Sequence, residues 1–147
     1  MKKSIKIIIQ IFTLLLFIFS FYNSYANNNI KAVNGVLDLS SYDLSEIGPL
    51  KLNGQWEFYW NKLLTTDDFK KGQIEKTGYI IVPGVWNNTT LNGTKLNGQG
   101  YGTYRLRIKL KDTSHIIGFN CQKQETAYNL WVNGKLLISS ERTCSSK

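Results

Sequence analysis

Two stretches of this 147-residue chain repeat with a period of two, and that period decides most of what the chain can become. Within residues 51–60, Leu52, Trp56, Phe58 and Trp60 fall on one side, and Lys51, Asn53, Gln55, Glu57 and Tyr59 on the other. Within residues 101–111, Tyr104, Leu106, Ile108 and Leu110 alternate with Arg105, Arg107, Lys109 and Lys111. Successive side chains of an extended backbone point to opposite faces, whereas a helix would scatter the same residues around its axis. Each stretch therefore reads as a half-buried antiparallel strand, apolar side inward and polar side in water. Gly54, on the apolar side, marks a bulge or the close approach of another backbone.

The rest of the chain agrees with this class. Residues 79–82 are β-rich and stop at Pro83-Gly84. Residues 128–132 and 135–139 flank Asn133-Gly134, a strong hairpin signal because a type I′ turn needs positive φ at both central positions. Shorter apolar runs occupy 35–39 and 116–121, and 40–49 is turn-rich. Only 63–71 suggests helix, capped by Thr65 or Asp67 and ended by Gly72. Residues 87–100 hold four Asn and three Gly with no period, and read as a long loop of the kind that often carries function. Six or so short strands with almost no helix predict an all-β sandwich or barrel.

The first 26 residues are an address. Lys2, Lys3 and Lys6 precede an apolar run, 7–21, and Ser24-Tyr25-Ala26 supplies small residues for cleavage between Ala26 and Asn27. That run is about 15 residues, short of the roughly 20 that span a bilayer. A cleaved signal peptide is the reading, with an uncleaved anchor as the alternative; both export the rest to the periplasm or the extracellular face of the cytoplasmic membrane. A polar leader follows at 27–34, then a domain at 35–139 and an unpatterned tail at 140–147.

The chain carries a net +8, and without the leader's three lysines the remainder carries +5. Export argues against nucleic acid as the partner of that charge, and leaves contact with a membrane to the leader or to a receptor's other parts. One His and two Cys cannot supply a four-ligand zinc site. A Ser-His-Asp site would depend on His115 alone. The ten acids form no recognisable pair of glycosidase carboxylates. The expectation is a non-catalytic domain without metal or cofactor.

Four motifs in order say more: Leu52-Asn53-Gly54-Gln55-Trp56-Glu57-Phe58-Tyr59-Trp60, Val82-Pro83-Gly84-Val85-Trp86, Gly100-Tyr101-Gly102-Thr103-Tyr104-Arg105-Leu106, and Tyr128-Asn129-Leu130-Trp131-Val132-Asn133-Gly134-Lys135. This order resembles the extracellular sensing domain of bacterial seven-transmembrane receptors with diverse intracellular signalling modules, and of related membrane-bound histidine kinases and nucleotide cyclases. It is also similar to the sugar-binding domain of family-two glycoside hydrolases. Both resemblances imply a galactose-binding-like jelly roll, with a small-molecule or carbohydrate ligand. They also imply further strands beyond the Asn-Gly hairpin, so the sandwich is expected to be incomplete at its C-terminus, as in a truncated receptor.

Trp86 and Asn87 open the long loop, Tyr101 closes it, and Arg105 follows the Gly-Tyr-Gly-Thr-Tyr start of the second strand. These four are the candidate ligand contacts. Trp56 and Trp60 read as core, and Trp131 as less certain. The stripe of Arg105, Arg107, Lys109 and Lys111 reads as a solvated face, with anionic sugars or lipid head groups as alternatives. Cys121 reads as a small buried hydrophobe, with a disulfide to Cys144 as the alternative. Asp67 and Asp68 read as helix-start partners, and the Asn-x-Thr triplets at Asn87, Asn88 and Asn92 as an Asn-rich loop. Mass spectrometry of the exported product is expected to find a chain beginning at Asn27. A full-length chain retained in the membrane would instead assign residues 7–21 as an anchor.

Overall fold

The computed structural model describes residues 30–140, apart from 88, 115, 122, 123 and 125, together with 6, 10, 12 and 13. The leader's cleavage site, His115 and the tail with Cys144 lie outside the described residues. The described part is mostly β, as the alternation predicts. Its strands are β1 (Val36–Leu39), β2 (Gly54–Trp60), β3 (Gly78–Val82), β4 (Thr90–Leu91), β5 (Thr94–Lys95), β6 (Gly102–Arg105), β7 (Arg107–Leu110), β8 (Tyr128–Val132) and β9 (Lys135–Ser140). Two short helices, α1 (Leu44–Ile47) and α2 (Thr66–Lys71), lie between strands, and residues 6, 10, 12 and 13 are helical as well. Among the described residues no helix is long and apolar enough to cross a membrane.

Strand β2 is the centre of a three-stranded antiparallel sheet, with β3 on one side and β6 on the other. The register sets Tyr79, Glu57 and Arg105 in one row across it, and Phe58 opposite Tyr104. The second alternating stretch is two strands. It breaks at Leu106, so that β6 pairs with β2 while β7 runs parallel to β1. Gly54 has φ +122, and a Cβ there would collide with the backbone of Ala32. Ala32 N–H donates to Asn53 O, and Gln55 N–H to Ala32 O, each at 2.8 Å. The glycine thus lets residue 32 lie directly on the start of β2.

The apolar side of β2 serves two cores. Trp56 packs with Ala32, Leu37, Leu39, Leu106, Ile108 and Leu110. Phe58 and Trp60 pack with Ile80, Leu96, Val82, Trp86, Leu91 and Tyr104. The other side departs from expectation, because Glu57 and Tyr59 are only 6% and 3% exposed rather than in water. Three pieces cover them. Helix α2 sets the edge of Phe69 against Tyr59 at 5.3 Å, Arg105 and Arg107 fold over Glu57, and the Asn34-Gly35 turn backs onto Glu57.

Three Asn-Gly pairs make turns with both residues at positive φ: Asn34 and Gly35 (50° and 74°), Asn92 and Gly93 (46° and 80°), Asn133 and Gly134 (48° and 88°). The last forms the β8–β9 hairpin. The second is a correction, since residues 87–100 are not plain loop but carry the small β4–β5 hairpin, with Leu96 fully buried beside it. Residues 116–121 are a correction too. They form no strand, and Ile116, Ile117, Phe119 and Cys121 are exposed; a short apolar run does not by itself specify an element. Strands β8 and β9 pair only with each other, and none of their residues enters either core cluster.

Phe58, fully buried, lies at the join of the sheet and its aromatic cover. Phe58→Ala is expected to cost about 3–5 kcal/mol, and Lys109→Ala, on the exposed side of β7, less than about 0.5 kcal/mol. Both are read as shifts in urea midpoint at unchanged slope. Equal losses would refute the facing of these strands.

Candidate functional site

The three-stranded sheet presents two chemically different faces, and the four sequence candidates divide between them. On the aromatic face, Phe58, Trp60, Trp86 and Tyr104 form one cluster. Ring centroids lie 4.8 Å apart for Phe58 and Tyr104, 5.7 Å for Trp60 and Trp86, 6.1 Å for Phe58 and Trp86, and 6.4 Å for Trp86 and Tyr104. β2 supplies alternate residues Phe58 and Trp60 to one side, β6 brings Tyr104 opposite Phe58, and the turn after β3 delivers Trp86. Burial pushes the Tyr104 phenol above its ordinary value.

The Asn- and Gly-rich segment closes over this cluster. Thr89 N–H donates to Trp86 O at 3.0 Å, Leu96 N–H donates to Thr89 O at 2.9 Å, and Leu96 inserts beneath. Gly100 lies flat on Trp60, where a Cβ would overlap the indole. Asn87 is exposed beside Gly98, and Tyr101 is 50% exposed next to Gly100. The structure thus places Trp86 in the aromatic face with exposed Asn87 next to it in the chain, whereas Tyr101 is exposed just before β6 and is not part of the ring cluster.

Trp86 differs from the other tryptophan of known bonding in this region. Trp56 Nε1–H donates to Leu52 O at 3.0 Å. The Trp86 Nε1–H is enclosed and meets no acceptor among the described residues. A buried donor left without a partner costs about 1–3 kcal/mol.

Arg105 is not on this face. The register of β6 turns it to the opposite face, in the row with Glu57 and Tyr79. There Arg105 Nη1 lies 3.7 Å from Glu57 Oε2 and Arg107 Nη2 lies 3.3 Å from Glu57 Oε1. Tyr59 Oη donates to Glu57 Oε2 at 3.0 Å. The Arg105 guanidinium also rests over the Phe69 ring, 4.5 Å from its centroid. Burial pushes the Tyr59 phenol above its ordinary value; Arg105 opposes this and the Glu57 carboxylate adds to it. The basic stripe is therefore not simply solvated. Its first two members hold a buried carboxylate, and Lys109 Nζ lies 3.4 Å from Asp38, its register partner on β1.

The remaining candidates have local roles. Asp68 accepts from the backbone N–H and the hydroxyl of Thr65 at 2.8 and 2.7 Å, fixing the start of α2, and these bonds hold its carboxyl below 3.8. Cys121 is exposed instead of packed, with its Sγ 4.0 Å from Tyr128 Oη. An open cleft of about 150 Å³ is lined by Tyr42, Asp43, Leu44, Lys111 and Asp112, none of them a sequence candidate. Among the described residues no group of three or more His, Cys, Asp or Glu could hold a metal ion. Sequence reasoning missed Glu57 and Arg107 as members of a cluster. Their only signal was an acid central in one alternating stretch and two arginines in the other.

Compared with family models, curated proteins and solved structures, the chain matches none. The resemblance in motif order therefore stands on the quoted residues.

Replacing Glu57 by Gln leaves two guanidiniums without their counter-charge. Because both arginines are partly exposed, Glu57→Gln is expected to cost about 1.5–3 kcal/mol. A change in urea midpoint worth less than about 0.5 kcal/mol would mean that Glu57 is not the anchor of this face.

Proposed function

We propose that this chain is the non-catalytic, extracytoplasmic ligand-sensing part of a bacterial membrane signalling receptor of the histidine kinase or nucleotide cyclase type. Its ligand is a carbohydrate or similar small polyol, taken at the Trp86 end of the aromatic face. The order of the four sequence motifs supports the receptor reading, and the all-β architecture is compatible with the jelly roll that they imply. The alternative, an accessory sugar-binding domain related to family-two glycoside hydrolases, makes the same demand on the same residues.

The observation that carries the ligand reading is the unpartnered indole N–H of Trp86 within a cluster of four aromatic rings. Sugar rings are recognised by stacking their C–H faces on aromatic rings while their hydroxyls take directed hydrogen bonds. Trp86 offers both elements. Exposed Asn87, next to Trp86 in the chain, supplies a carboxamide that can donate and accept. The covering segment is held by short β4–β5 pairing and by Leu96. A ligand oxygen that reaches Nε1 as this cover shifts removes the cost of the unmade hydrogen bond, an energy gained only in the bound state.

The discriminating variant is Trp86→Phe, which keeps a ring and removes the N–H. Its stability is expected to change little, within about 1 kcal/mol, because the volume lost from the ring cluster is offset by removal of a buried donor without a partner. Its affinity for a glycan that binds the wild-type chain is expected to fall about fivefold, the equivalent of one hydrogen bond. Binding is read by tryptophan fluorescence after a glycan array. An array without hits refutes the sugar reading, and unchanged affinity in Trp86→Phe moves the ligand away from this face.

A further inference from the structure

The polar face carries a second feature that glycan binding does not use. Glu57 is a single negative charge, its side chain 7% exposed, and it faces two guanidiniums. The two arginines take opposite oxygens of the same carboxylate, so one side chain fixes both heads next to each other. Each head has further restraint. Arg105 lies on Phe69, which itself packs on Tyr59. The Arg107 main-chain N–H donates to Gly35 O at 2.9 Å, and Gly35 sits against Glu57, with no room for a Cβ between them.

Among the described residues the cluster sets two guanidiniums against one carboxylate. Other acids among the described residues have partners elsewhere: Asp38 with Lys109 and Ser40, Asp43 with Ser45, Asp67 with Lys70, Asp68 with Thr65 and Asp112 with Ser114. The arginine side chains remain 39% and 56% exposed. A guanidinium carries five N–H donors in a rigid fork, and few of those ten are used on Glu57. Both heads thus keep edges in solvent while held to the two oxygens of one carboxylate.

We propose that Arg105 and Arg107, aligned by Glu57, form a binding site for the oxyanion of a small soluble molecule, a carboxylate or phosphate bridging the two guanidiniums from the solvent side. Paired guanidiniums bind such planar or trigonal oxygen sets by parallel hydrogen bonds, which a lysine cannot reproduce. Because the heads are held before binding, little side-chain freedom is lost when the anion arrives. The site lies on the face opposite Trp86 and stands independently of the glycan reading.

The test is an NMR titration of the full chain, following the arginine Nε–Hε signals, with inorganic phosphate, glucuronate and neutral glucose as separate probes. Phosphate and glucuronate are expected to shift the Arg105 and Arg107 signals saturably, and glucose to leave them in place. Arg107→Lys is expected to weaken phosphate binding about tenfold, and Lys51→Ala, an exposed lysine elsewhere, to change nothing. Absence of a saturable shift in the wild-type chain overturns the proposal, as does an equal loss in Lys51→Ala, which would mean diffuse screening. Sedimentation with phosphatidylglycerol vesicles forms the last arm. Vesicle binding without any response to free phosphate would assign the charge to a lipid surface and also overturn the proposal. Phosphate binding without glycan binding, or the reverse, tells the two sites apart.

Discussion

A carboxylate buried in the middle of the central strand is the constraint on which the rest of the structure depends. Taking a charge out of water costs several kcal/mol unless partners replace its hydration. Glu57 obtains them from Tyr59 two residues along, Arg105 on β6 and Arg107 at the start of β7, while the turn at Gly35 packs against its side chain. Meeting that need fixes the register of β6 on β2. It also brings the Asn34-Gly35 turn against Gln55, where Gly35 N–H donates to Gln55 O at 3.0 Å and Asn34 N–H to Gln55 Oε1 at 3.2 Å. The break at Leu106 then lets β7 leave the sheet and run parallel to β1.

The two faces of β2 do different work because they solve different problems. On the aromatic face the rings are non-directional and tolerate exchange of partners, so Phe58 contacts Trp60, Trp86 and Tyr104 at once. The cover is supplied by a segment rich in Asn and Gly, whose glycines permit close contact, as at Gly100 on Trp60. On the polar face each contact is directional and charged. A change there is felt through geometry, whereas a change on the aromatic face is felt through volume.

Hairpin β8–β9 is organised otherwise. Its turn chemistry is sound and its strands pair, with a register slip between Leu130 and Trp131. Leu136 and Leu137 nonetheless keep close to half their surface in water. A two-stranded ribbon alone is marginally stable in water. The cores are instead concentrated on β1, β2, β3, β6 and β7, which is where the stability of the described part resides.

Local chemistry made the strand period within 51–60 and 101–111, though not the break at Leu106, the Asn133-Gly134 hairpin, the capped start of α2 and the close approach at Gly54 readable from residues alone. Each rests on short-range sterics or on neighbours in the chain. The Asn92-Gly93 hairpin was equally local and was hidden only because two-residue strands are too short to show a period. What lay beyond the sequence was which groups meet across long separations. Alternation says that Glu57 and Arg105 are on polar faces, but it cannot say that those faces are covered, since burial depends on Phe69, Arg107 and Gly35 arriving from elsewhere. Nor can it tell that Trp86 and Arg105, both beside the same loop, point to opposite sides of the sheet. The sequence by itself determined the β class and the local turns, because these follow from backbone conformation. The tertiary structure decided the register of β6 on β2, and with it the separation of the aromatic face from the paired arginines, because register is set by packing on both faces at once.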